Sequence, residues 1–175
     1  MSAASRAAAG HPAALPAAAL LAQCEQTARR RSGPGGQHRN KVETGVVLVH
    51  RPTGIEGQAS ERRSRPQNAA AALFRLRVQL ALDVRSAAAA PTPGTLWRSR
   101  CRGGRITVSA EHEDFPALLA EALDAVKAHA FDVAAAAAAL GASGTQLVRL
   151  LAQEPRALIA VNAARATLGM HPLRP

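Results

Sequence analysis

The sequence predicts an α+β fold: a small antiparallel or mixed sheet with a packed helix, then a short β-hairpin and an α-helical C-terminal bundle. Three observations carry this expectation. Residues 44–60 are two extended stretches around a Pro-Thr-Gly turn. Residues 65–84 repeat leucine at helical spacing, and residues 111–175 are rich in alanine and leucine, with repeated helix caps and breakers. The expected organisation is a disordered tail over 1–13, a first domain over 14–86, a linker with a β-hairpin over 87–110, and a helical domain over 111–175.

Taken in order, residues 1–13 are alanine-rich and of low complexity. Arg6 is the only cation before Arg29, and Pro12 and Pro16 interrupt the stretch, which favours a tail over a signal or transit peptide. Leu15, Leu20 and Leu21 suit a short helix over 14–23. Cys24 to Arg30 alternates weakly and reads as a strand leading into a glycine-rich loop. Thr44 to His50 is β-branched and apolar, a buried strand. Arg51-Pro52-Thr53-Gly54 has the proline and glycine placing of a type I turn, and Ile55 to Ser60 returns as the second strand of a hairpin.

Ser64, Pro66 and Gln67 supply a cap, a first-turn proline and the capping-box spacing for a helix. Its Leu73, Leu76, Leu80 and Val84 fall on one stripe that should cover a face of the sheet. Ser86 to Gly94 reads as a linker. Leu96 to Cys101 and Arg105 to Ser109 flank Arg102-Gly103-Gly104-Arg105 as a second hairpin, with Trp97 and Cys101 on one face and Arg98, Arg100 and Arg102 on the other. Four helices follow: one capped by Asp114 with Leu119, Leu123 and Val126, one over 132–140, one opened by Ser143-Gly144-Thr145-Gln146, and one over 156–168.

The charge balance points to a phosphate-rich partner. Net charge is +10, and all basic residues but Lys41 and Lys127 are arginines, which bind phosphate bidentately. Residues 1–90 hold 13 cations against 5 anions, and residues 91–175 hold 9 against 7, so the excess lies in the first half. Cys24 and Cys101 have no metal-ligand spacing, so no metal or other cofactor is expected, and no apolar run has membrane-spanning length.

Within that basic half, Arg31-Ser32-Gly33-Pro34-Gly35-Gly36-Gln37-His38-Arg39-Asn40-Lys41 is a loop shaped for contact. Glycine lets backbone approach a partner closely. Gln37 does not titrate, so it is no general base. The spacing fits neither a Walker loop nor a dinucleotide fingerprint, which argues against mononucleotide binding. A solvated, mobile basic loop is the plain alternative.

Ser32-Gly33-Pro34-Gly35-Gly36-Gln37-His38, Asn40-Lys41, Pro52-Thr53-Gly54-Ile55, Glu61-Arg62-Arg63-Ser64 and Asn68 together resemble the catalytic domain of class I peptide chain release factors. The short ribosome-rescue factors carry the same domain. The resemblance covers roughly residues 22–85. It implies that Gly35, Gly36 and Gln37 enter the peptidyl transferase centre of the ribosome and promote hydrolysis of P-site peptidyl-tRNA, an enzyme-like activity expressed only there. The Gln37 backbone N–H would stabilise the developing oxyanion while its side chain orients water. The family methylates this glutamine at N5, so Gln37 is a modification candidate and a glutamine methyltransferase a candidate partner. Arg29, Arg30, Arg31, Arg39, Lys41, Arg62, Arg63 and Arg65 would neutralise large-subunit rRNA phosphates, and a cytoplasmic monomer is expected.

Three features depart from the family. Arg39 stands where a small apolar residue is usual. The chain lacks codon-reading domains, so stop-codon recognition is not expected, and it lacks the Lys/Arg-rich tail of known rescue factors. Residues 133–151 offer another reading, since they resemble the helix-turn-helix of Fis-type regulators. That would make a DNA- or RNA-binding protein which keeps the fold without hydrolysing.

Overall fold

A computed structural model describes residues 10–29, 44–86 and 92–175, which fall into two units. The sheet unit is residues 15–80. The helical unit is residues 81–175 together with the segment that ends at Ala14.

The sheet unit opens with a short helix α1 (Ala17–Leu21) and continues into β1 (Cys24–Arg29), β2 (Gly45–His50) and β3 (Glu56–Ala59). The three strands form one antiparallel sheet in the order β1-β2-β3. The central strand β2 buries Val46 and Leu48, as its β-branched run predicts. The turn between β2 and β3 closes where the His50 N–H donates to Ile55 O at 2.8 Å and the Gly54 N–H donates to His50 O at 2.8 Å. Gly54 sits at φ +73°, a conformation that favours glycine.

Helix α2 (Arg65–Asp83) buries Ala72, Leu76, Val78 and Leu80. Of the expected stripe, Leu76 and Leu80 are fully buried, Leu73 is half-buried and Val84 follows the helix end. One glycine sets how close α2 comes to the sheet. A Cβ on Gly57 in β3 would lie 2.4 Å from Ala72 O and 2.5 Å from Leu76 N, so β3 can meet the helix backbone only without a side chain there.

The helical unit holds α3 (Thr95–Arg100), the strands β4 (Cys101–Arg102) and β5 (Arg105–Ile106), then α4 (Phe115–Ala128), α5 (Val133–Ala139), α6 (Gly144–Ala152) and α7 (Pro155–Thr167). Trp97, Phe115, Leu118, Leu119, Leu147, Leu150 and Leu151 are buried in its core. Asp132 accepts from the Ala134 and Ala135 N–H groups at the start of α5, and Ser143 Oγ accepts from the Gln146 N–H at the start of α6.

Three sequence expectations are corrected here. Residues 95–100 form a helix, not a strand; the alternation that sets Trp97 and Cys101 apart from the arginines also places Trp97, Arg100 and Cys101 at i, i+3 and i+4. The hairpin that remains has strands of two residues. Asp114 does not cap α4 through its side chain; its carboxylate takes the Arg100 guanidinium at 2.6 and 2.9 Å. Finally, residues 10–13 of the expected disordered tail are built into the structure. Pro12–Ala14 is a 3-10 turn, Ala13 is fully buried, and His11 Nε2 donates to Val84 O at 3.0 Å.

Candidate functional site

The glycine-rich loop is carried between two strands whose pairing fixes where it leaves and returns. β1 and β2 pair from Cys24 opposite His50 to Arg29 opposite Gly45, so residues 30–44 connect the two ends of one antiparallel ladder. Gly35, Gly36, Gln37, Arg30, Arg31, Arg39 and Lys41 lie outside the described residues. What the structure describes is the base of the loop: Arg29, Thr44 and the residues that hold them.

β3 pairs with β2 with Ala59 opposite Val46, so the bend after β3 lies at the same end of the sheet as the loop. That bend carries Arg62 and Arg63, and α2 starts at Arg65; all three side chains are exposed. The structure therefore brings these three predicted cations to the ladder end at which Arg29 closes β1.

One buried side chain ties the bend to the loop. Asn68, in the first turns of α2, is 0% exposed. Its Nδ2 donates to Thr44 O at 2.7 Å and to Arg62 O at 3.0 Å, while Oδ1 accepts from the Arg62 N–H at 2.9 Å. Both ends of the amide are thus used, and a hydrophobic side chain there would leave three backbone groups without this partner.

The outer side of the bend is held by Glu61. Its carboxylate accepts from the Ser60 N–H at 2.9 Å and pairs with Arg75 of α2 at 2.5 Å, and Arg75 also donates to Gln58 O at 2.8 Å. The Arg75 hydrogen bond, then the backbone N–H donors, hold the Glu61 carboxyl down at about 2.

The far end of the ladder is closed by His50, 2% exposed. Nε2 lies 3.0 Å from Gln23 Oε1, which only accepts, so Nε2 carries the proton; Nδ1 then accepts from Thr53 Oγ at 2.8 Å. Burial pushes its pKa below the ordinary value. The arrangement locks the neutral imidazole between β1 and the turn.

Residues 21–101 match the RF-1 domain family. A 61-residue stretch is 49% identical to peptide chain release factor 1 of Acidiphilium cryptum (strain JF-5), covering 35% of this chain and 17% of that protein. Another, of 51 residues, is 47% identical to the chloroplastic peptide chain release factor PrfB1 of Arabidopsis thaliana, covering 29% of this chain and 11% of that protein. Peptide chain release factor 1 of Verminephrobacter eiseniae (strain EF01-2) is 46% identical over 61 residues, 35% of this chain and 17% of its own length. The chain thus spans 17% or less of the length of these relatives. No solved structure matches the chain.

Within residues 21–101, several supporting residues lack a sequence signal of their own. Gly57, Arg75, Gln23 and the imidazole of His50 carried no local signal, because their partners are distant in sequence. Asn68 did carry one, as a polar residue on the inward side of an otherwise apolar helix face. Among the described residues no cluster of His, Cys, Asp or Glu could hold a metal, and no helix is long and apolar enough to cross a membrane.

Proposed function

We propose that this protein is a translation release factor acting in ribosome rescue, promoting codon-independent hydrolysis of peptidyl-tRNA in the peptidyl transferase centre. The observation that carries the reading is Gly35-Gly36-Gln37 on the segment joining the paired ends Arg29 and Gly45, within the stretch that matches the RF-1 domain family. A loop on a pinned ladder suits a reaction in which the protein supplies position and one backbone donor while rRNA walls the site. Gly35 and Gly36 permit close approach to the ester. The Gln37 N–H stabilises the oxyanion and its side chain orients water.

Arg29, Arg30, Arg31, Arg39, Lys41, Arg62, Arg63 and Arg65 contact large-subunit rRNA phosphates. Between Arg29 and Arg65 the sequence sets nine cations against three anions, which favours that partner. Codon independence is supported by the character of residues 111–175, an alanine-rich set of helices with modest charge. The protein acts as a cytoplasmic monomer, and N5-methylation of Gln37 by a glutamine methyltransferase tunes the loop.

The test uses ribosomes stalled at the end of a truncated message and carrying peptidyl-tRNA. Wild type releases the peptide; Gly36→Ala, whose methyl keeps the backbone and its Gln37 N–H from the ester, lowers the rate by about 100-fold or more, and Gln37→Ala, which keeps that N–H and loses the water-orienting side chain, lowers it by a smaller factor. Equal release by wild type and variants, or none by the wild type, refutes the reading. Ribosome binding without release assigns the fold to a binding role.

A further inference from the structure

The hairpin of the helical unit is locked onto the turn of its helix-turn-helix. Gly103 and Gly104, at φ +56° and +76°, make a two-residue turn of the type I′ kind, and Arg102 is paired with Arg105 across it. The Ser143 N–H donates to Gly104 O at 3.0 Å, and the Ile106 N–H donates to Gln146 Oε1 at 3.2 Å. Trp97, 1% exposed, donates Nε1–H to Leu140 O at 2.7 Å and anchors the helix that leads into the hairpin. The hairpin therefore sits as a rigid wing beside the start of α6.

Three exposed cations gather there. Arg149 lies one turn beyond Gln146 on α6, and Arg102 and Arg105 stand on the wing that Gln146 holds. None of the three has an acidic partner among the described residues. Of the acids near them in sequence, Asp114 is engaged by Arg100, Asp132 in capping α5 and Glu154 by Arg156, and Glu111 and Glu113 are exposed in the turn after the wing. Arg102 and Arg105 are directly opposed on so short a ladder that their mutual repulsion costs stability. An anion between them reverses that cost.

The same contacts decide what kind of anion. In a base-reading helix-turn-helix, the second helix presents polar side chains to base edges. Here Gln146 Oε1 is spent on the wing and Ser143 Oγ on the cap, which leaves Thr145 and Arg149 on the outer face. A surface rich in phosphate ligands and poor in base readers suits duplex RNA, which proteins recognise mostly through shape and backbone.

We propose that Arg102, Arg105 and Arg149 form a second RNA-binding surface in the helical unit, one that grips the phosphate backbone of double-helical RNA without reading sequence. The choice of RNA over DNA rests partly on the ribosomal function proposed for the loop; the surface itself does not. The test is fluorescence anisotropy of the full chain on a duplex RNA of about 20 base pairs, across a range of salt, with duplex DNA of the same sequence alongside.

Arg102→Gln/Arg105→Gln/Arg149→Gln weakens RNA binding by about 10- to 100-fold and reduces the salt slope by about 2–3, near one for each lost phosphate contact. Arg149→Gln alone, an exposed helix position, reduces the slope by about 1. Gln37→Ala leaves RNA binding unchanged, so failure of peptide release and failure of this surface are told apart. Unchanged affinity and slope in both arginine variants overturn the proposal. So does a loss confined to duplex DNA, which returns the segment to DNA binding.

Discussion

The sheet unit and the helical unit solve the problem of holding distant segments together by different means. Among the described residues the fully buried polar side chains are His50 and Asn68, and both lie in the sheet unit. Each bridges segments far apart in sequence, Gln23 with Thr53 in one case and Thr44 with Arg62 in the other. The helical unit instead buries Trp97, Phe115 and a set of leucines, and uses exposed caps at its helix starts. A hydrogen-bonded side chain fixes direction as well as distance, which apolar packing does less well. The unit that carries the glycine-rich loop is the one that spends buried polar groups on its geometry.

The largest effect expected is at the closest approach in the sheet unit. Gly57→Ala should destabilise it by about 3 kcal/mol, since the added methyl meets helix backbone that cannot move aside cheaply. Chemical denaturation followed by circular dichroism measures it. The single tryptophan, Trp97, belongs to the helical unit, so its fluorescence transition should move less. Equal shifts of both signals would break the distinction between the units.

Asn68→Ala should come next, at about 2 kcal/mol, because it leaves buried backbone groups at Thr44 and Arg62 without their partner. It should also slow peptide release at saturating protein concentration, a readout that a purely structural role would not move. The matching change in the helical unit is Asp132→Ala. Loss of that cap should cost about 1 kcal/mol and leave release unchanged.

The smallest effect is on pH dependence. His50 is kept neutral by burial, so its folded pKa lies below the unfolded value of 6.5. The unfolded chain then binds more protons as pH falls below about 6.5, and stability falls with it. His50→Gln should flatten the denaturant midpoint between pH 7 and pH 5. Glu61 works lower: its contribution is present above 4.5 and is lost as pH falls toward about 2, so Glu61→Gln should lower stability above 4.5 and flatten the acid limb below it.

Much of the sheet unit was legible in the sequence. The β-branched run of β2, the Pro-Thr-Gly turn and the leucines of α2 are local signals, and the observed register follows from them. The region around Trp97 carries an ambiguous local signal. A stretch of six residues satisfies strand alternation and helix spacing equally well, and what decided for the helix was the buried indole reaching Leu140 O, 43 residues away. The loop residues themselves were nameable from sequence alone, although Gly35, Gly36 and Gln37 fall outside the described residues.

By itself the sequence determined the chemistry of the loop, the positive charge around it and the hairpin behind it, because glycine, arginine and β-branched residues act through their own conformational and charge preferences. Tertiary structure alone decided that Gly57 must be bare, that Asn68 clamps the loop base and that the Arg102–Arg105 hairpin docks on the turn before α6. Each of these depends on a partner in another element, and local preference holds no information about which group from another element a side chain will meet.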